Sequence, residues 1–196
     1  MRDCNFDRNN AMQDFERLPK GGYILKILGV KYIEAEGNKS DQLRLQVDIA
    51  EGQYADYYKK DYESNSAEDK KWRGVIEIWL PKNDGSDKDA WTKRTMDTCF
   101  AAIEDSNPGF RFDGVHEDSL KGKMVGGVVY TEEYMKDGKK KSVNKFHKRL
   151  VPIQKIKDGS YKQPEDKLLP QNNAPMSADE GMVPVDTSTT ADELPF

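Results

Sequence analysis

Two stretches of the chain combine residue types that could hold a ligand. Tyr54, Tyr57, Tyr58, Lys59, Lys60 and Tyr62 are followed, after a polar interval, by Lys70, Lys71, Trp72 and Arg73. Ammonium and guanidinium groups can follow a phosphate backbone, while aromatic faces stack on unpaired bases, so this mixture suits a single-stranded polyanion. The second stretch, Lys136 to Lys157, holds nine bases against one acid, Asp137. Its densest part is DGKKKS, with Lys139, Lys140 and Lys141 in succession and Lys145 shortly after. That local excess can attract a polyanion although the whole chain has a formal charge of −4.

Each group also has a plainer reading. Tyr54 and the pair Tyr57/Tyr58 have the i, i+3/i+4 spacing of an amphipathic turn packed on a folded body. The lysines of DGKKKS equally suit a solvated hairpin tip. On the residues alone both readings stay open.

Catalysis finds no constellation to work with. His116, in GVHED, and His147, in a basic stretch, have no partner at metal-ligand spacing. The glycine pairs form neither GxGxxG nor a phosphate loop, and GKM at 122–124 lacks both the glycine spacing and the hydroxyl residue. The acid pairs Glu132-Glu133 and Glu117-Asp118 are adjacent and read as solvated surface. The expectation is a non-enzymatic protein with no metal and no cofactor. Cys4 and Cys99 are far apart in unlike settings and suggest no disulfide. No run approaches the ~20 apolar residues of a membrane span, and MRDCNFDRNN has no apolar stretch of the signal-peptide kind. A cytoplasmic location without a membrane partner is expected.

These residues depend on a scaffold to position them. The chain has 196 residues, of which 34% are charged and 36% hydrophobic, so a core spread over all of it would be thin. From Asp158 to Phe196 eight acids face two bases, a charge of −6, which leaves +2 on residues 1–157. A basic body with an acidic tail is the organisation this implies. GGYILKILGVKYIEAE (21–36) reads as a strand, with Gly29 marking a bulge or sharp bend. DQLRLQVDIA alternates, placing Leu43, Leu45, Val47 and Ile49 on one face and Gln42, Arg44, Gln46 and Asp48 on the other. RGVIEIWLP (73–81) is a third strand stopped by Pro81. The spacing predicts a helix over 89–105 with Trp91, Met96, Cys99, Phe100 and Ile103 on its packed face, capped by Asp87 or Asp89. Residues 123–134 and 142–156 read as two further strands.

Five strands with a helix between the third and fourth give the order of an OB-fold, a small Greek-key barrel. The expected fold class is therefore all-β with one helix. The expected divisions are an N-terminal extension (1–19), an OB-fold domain (20–157) and a disordered acidic tail (158–196). If Ile76, Ile78 and Leu80 point inward, Trp79 points outward with Val75 and Glu77. Arg44 and Gln46 would lie on that same face, which with the 1–2 and 4–5 loops forms the groove of such a fold.

The chain ends TADELPF. An OB-like body, a polar proline-dotted linker and an acidic tip ending in Pro-Phe resemble the bacterial single-stranded DNA-binding proteins. The resemblance implies that Asp192, Glu193, Leu194, Pro195 and Phe196 form a docking peptide for replication, recombination and repair proteins. Its ring would enter an apolar pocket and its carboxylates would meet bases. YYKKDY…KKWRGV looks more like the OB-fold proteins of phages and prophages. That departure leaves the assembly open, a homo-oligomer included. The resulting expectation is non-catalytic, largely sequence-independent binding of single-stranded DNA through Arg44, Tyr57, Tyr58, Lys59, Lys60, Tyr62, Trp72, Arg73, Trp79, Lys139, Lys140, Lys141 and Lys145. The alternative is an adaptor that imitates the docking tip and binds no DNA.

Overall fold

A bulge divides the first strand between two neighbours. In the computed structural model, which describes residues 16–37 and 39–170, β1 (Gly21–Ile33) shifts register between Ile27 and Gly29, as a glycine within a strand pattern signals. Residues 21–26 pair with β4 (Met124–Lys136), and residues from Leu25 onward pair with β2 (Gln42–Ile49), both antiparallel. β2 pairs in turn with β3 (Val75–Trp79), and β4 with β5 (Lys139–Phe146). The fold is thus mostly β, with one five-stranded antiparallel sheet of order β3-β2-β1-β4-β5.

The sheet is open. Its edge strands β3 and β5 do not pair among the described residues, so the expected closed barrel is not formed by backbone hydrogen bonds. A helix packs beside this opening, in line with the amphipathic spacing of Tyr54 and Tyr57/Tyr58. α1 (Tyr57–Ser64) lies within the polar and aromatic stretch between the second and third strands. Tyr58 is buried, with its ring 5.9 Å from that of Phe146 at the end of β5. Gly74 permits this packing: a Cβ there would lie 2.7 Å from the Tyr58 ring and collide with the Val47 carbonyl. Asp48 explains the helix start. Alternation along β2 places it toward solvent, yet it is buried. Its carboxylate accepts the N–H of Tyr58 at 2.9 Å and of Lys59 at 3.0 Å, capping α1 from a different element.

The alternating residues of β2 line the core as their period dictates. Leu43, Leu45, Val47 and Ile49 are buried with Leu25 and Ile27 of β1, Ile76 and Ile78 of β3, and Val125 and Val129 of β4. Each such side chain contributes about 1.5–3 kcal/mol relative to exposure. The central helix, α2 (Asp87–Ser106), begins earlier than expected and is capped by Ser86 rather than Asp87 or Asp89. The Ser86 Oγ accepts the Asp89 N–H at 3.1 Å, leaving both carboxylates in the first turn, where they favour the helix dipole. Cys99, Ala102 and Ile103 of α2 are buried on the sheet. Burial pushes the Cys99 thiol up to about 11, so it is a packing residue rather than a nucleophile.

Two further expectations are corrected. The strand expected at 142–156 is instead β5, followed by a single bridge at Val151 and a short α3 (Ile153–Lys157). Asp137 and Gly138 both have positive φ and form the two-residue turn of the β4–β5 hairpin, which places the lysines after them in the strand. Pro152, which has no N–H, ends the extended run and starts α3. Residues 158–170, expected to open the disordered tail, lie against the body. The Tyr161 hydroxyl accepts the Gly22 N–H at 2.9 Å, and Gln163 Nε2 donates to the Val129 carbonyl at 2.8 Å. Lys167 exchanges backbone hydrogen bonds with Thr131 and Glu133 along the part of β4 that β1 leaves unpaired. Composition reads this segment as tail because its contacts are a few specific hydrogen bonds rather than a periodic apolar face. Among the described residues no helix is long and apolar enough to cross a membrane.

Candidate nucleic-acid interface

The outward face of the sheet follows from register. Gln42 lies opposite Trp79, Arg44 opposite Glu77 and Gln46 opposite Val75, while Lys31 of β1 lies opposite Arg44 on its other side. Residues directly across a ladder share a face, so Arg44, Gln46 and Trp79 form one surface, as the strand pattern required, and the register adds Lys31 to it. Trp79 is 39% exposed. Arg44 reaches across to Glu77 at 2.9 Å, a solvated pair that weakly orients the guanidinium. Gln42, opposite Trp79, buries an amide oxygen with no hydrogen-bond partner among the described residues.

A cleft of about 430 Å³ opens beside this face, between β3 and the first half of α2. Trp79 and Trp91 both line it, with four lysines (Lys39, Lys82, Lys88 and Lys148) and three carboxylates (Glu77, Asp84 and Asp89) around them. Trp91 is the residue that helical spacing misplaces. Expected in the core, it is 43% exposed, with the Lys148 ammonium 4.0 Å from its ring centroid and the Arg149 guanidinium 5.8 Å away. Its helical phase matches buried Ala102, but it lies eleven positions earlier, about 16 Å along the axis, where α2 borders the cleft. Burial together with Lys167 and Arg149 lowers the Lys148 pKa. A second groove, of about 650 Å³, is lined by Phe100, Phe112 and Val115 with Asp97, Glu104, Asp113 and Glu117. Its charged lining is wholly acidic and would repel phosphate.

The β4–β5 hairpin supplies another cationic surface. Tyr134 lies opposite Lys141 and Lys136 opposite Lys139, so these four share a face. Lys140, on the other face, is drawn to Glu133 at 2.8 Å. Lys145 pairs with Glu132 at 2.9 Å. The Tyr130 hydroxyl and Lys145 hold the Glu132 carboxyl down at about 2. The adjacent acids Glu132 and Glu133 therefore fix lysines on the β-ribbon.

The aromatic residues between β2 and β3 do not form the single patch that their proximity in sequence suggests. Tyr57 accepts the Leu18 N–H and donates to the Glu16 carbonyl, both at 3.0 Å, while its ring meets Tyr54 and Tyr58 edge-on. Tyr57 and Tyr58 are packing residues, which removes them from the candidate interface. Trp72 is half-buried, and its indole N–H is shared by the carbonyls of Val47 at 3.0 Å and Gly74 at 3.2 Å. Tyr62 tilts against Trp72 at 5.8 Å and carries Lys70 over its ring at 4.6 Å. Lys60 is turned back onto the Ala55 carbonyl at 2.9 Å, and Arg73 is ion-paired with buried Asp61. Lys59 remains exposed. The tip residues Asp192 to Phe196 lie outside the described residues. Neither protein-family models nor curated protein sequences give a match to this chain.

Proposed function

We propose that this chain is a non-catalytic single-stranded DNA-binding protein with an OB-type fold, which coats unpaired strands with little regard to sequence. The observation that carries the reading is the outward face on which Trp79 stands beside Arg44, Lys31 and Gln46. Cations and an exposed indole on one sheet face are what a phosphate backbone with unstacked bases requires. The strand order with α2 inserted between β3 and β4 agrees with an OB topology, a family of barrels that are often only partly closed. The Lys136/Lys139/Lys141 face of the hairpin extends the cationic surface. In this reading the C-terminal tip recruits replication, recombination or repair proteins.

Tryptophan fluorescence of the full chain, titrated with a dT oligonucleotide across a salt series, tests the reading. Quenching that reverses with salt, and much weaker binding of duplex, is expected. Absence of quenching at low salt would remove the DNA reading and favour an adaptor that acts through its tip alone.

A further inference from the structure

Apart from the hydroxyls of Ser40 and Ser86, the uncharged and acidic polar side chains in the wall of the Trp79–Trp91 cleft present acceptors. Thr92 and Thr95 commit their hydroxyl hydrogens to the helix, donating to the carbonyls of Lys88 at 2.9 Å and Trp91 at 3.0 Å, so only oxygen lone pairs face outward. Asp89, also in the lining, is a carboxylate that accepts the Lys82 N–H at 2.5 Å and keeps further lone pairs. The donors of the lining are mainly lysine ammoniums on long stems, with Lys148 resting on Trp91. The volume lies within the range of small-molecule sites. Two indoles, a row of acceptors and cations on flexible stems are matched by a ring with N–H donors on its edge and an attached phosphate.

From this we infer that the cleft is a pocket for one unstacked nucleobase bearing an exocyclic amino group, and that thymine is disfavoured there. The inference rests on the single-stranded DNA reading and adds a discriminating position to an otherwise indifferent surface. Adenine and cytosine offer a two-hydrogen exocyclic amino group to Asp89 and the threonine oxygens, whereas thymine has a single ring N–H flanked by two carbonyl oxygens that those acceptors repel. Lys148 yields the face of Trp91 to the base and moves to the phosphate, exchanging one cation–π contact for an ion pair.

The test compares dT20 with the same oligonucleotide carrying one central dC or dA, for the full chain and for Trp91→Leu, at one salt concentration. Trp91 is exposed, so the variant is expected to keep its fold, which circular dichroism checks. The single amino-bearing base should tighten binding by about fivefold, the worth of roughly one net hydrogen bond. Trp91→Leu should erase that difference while still binding dT20 through the sheet face and hairpin. Equal or weaker binding of the substituted strands overturns the pocket and leaves the DNA reading intact. So does a preference that survives in Trp91→Leu, because the base is then read elsewhere. If no oligonucleotide binds, the DNA reading fails, and dCMP and dTMP then test the pocket directly. Quenching by dCMP alone supports it, and any other result overturns it.

Discussion

Asp61, buried in α1, is held by the guanidinium of Arg73, whose own side chain is largely exposed. The pair ties the helix to the segment leading into β3. It occupies a cation that the sequence offers as a phosphate ligand. Replacing Arg73 with Met leaves a buried carboxylate without its partner and should cost about 2 kcal/mol, less than for a fully buried pair because one member is solvated. Chemical denaturation of Arg73→Met and of Asp61→Asn/Arg73→Met measures this. The double variant should recover part of the loss. If Arg73 were instead a DNA contact, its replacement would weaken binding and leave stability unchanged.

Truncation at two points measures what residues 158–170 contribute to the fold. A chain ending at 170 keeps the contacts of Tyr161, Gln163 and Lys167 with β1 and β4, whereas one ending at 157 strands the Gly22 N–H and the edge of β4. The shorter chain should be less stable by about 3 kcal/mol, from the four hydrogen bonds that Tyr161, Gln163 and Lys167 make to partly buried groups. Thermal melts of the two should therefore differ clearly. Equal melting temperatures would mean that residues 158–170 contribute nothing to the fold.

Acid should act through the β4–β5 hairpin. The folded pKa of Glu132, about 2, lies below its ordinary value of 4.5, because the Tyr130 hydroxyl and Lys145 favour the carboxylate. A depressed carboxyl pKa stabilises above the unfolded value and loses that contribution as pH falls through the folded one. Stability measured between pH 5 and pH 2 should decline, and Glu132→Gln should flatten that decline. Its own stability at pH 7 should be lower than that of the parent. An unchanged slope in the variant would place the acid sensitivity elsewhere.

Salt dependence reports on the hairpin lysines. For single strands each phosphate contact contributes about 0.7 to the slope of log affinity against log salt, so replacing Lys139, Lys140 and Lys141 with Gln should reduce it by about 2. Lys140 is partly engaged by Glu133, which makes that figure an upper bound. A slope that does not change would move the phosphate contacts to Lys31, Arg44 and the cleft lysines.

Much of the sheet is legible in the sequence because its signals are local. Alternation along Leu43, Leu45, Val47 and Ile49 fixes their common face, and the same parity turns Trp79 outward and places it with Arg44. Gly29 marks the bulge in β1. The spacing of Tyr54 and Tyr57/Tyr58 hints at a packed turn, but the start of α1 is not legible because its cap is not local. Asp56 makes no side-chain cap, and Asp48 supplies the acceptors from the end of β2. DGKKKS suggests a tip because so dense a run of lysines looks like a solvated loop. The positive φ of Asp137 and Gly138 gives the turn to those two residues instead.

The amino-acid order alone determined the first four strands, the division between a basic body and an acidic C-terminal stretch, and the outward side of β3. All three depend on neighbours within a few residues, where backbone period and charge density act directly. Tertiary structure decided which rings meet solvent. Tyr58 is lost to packing against Phe146, and Trp91 stays exposed where the N-terminal half of α2 borders the cleft with β3. A helical or strand period gives a side chain its direction, but burial depends on whether another element stands in that direction.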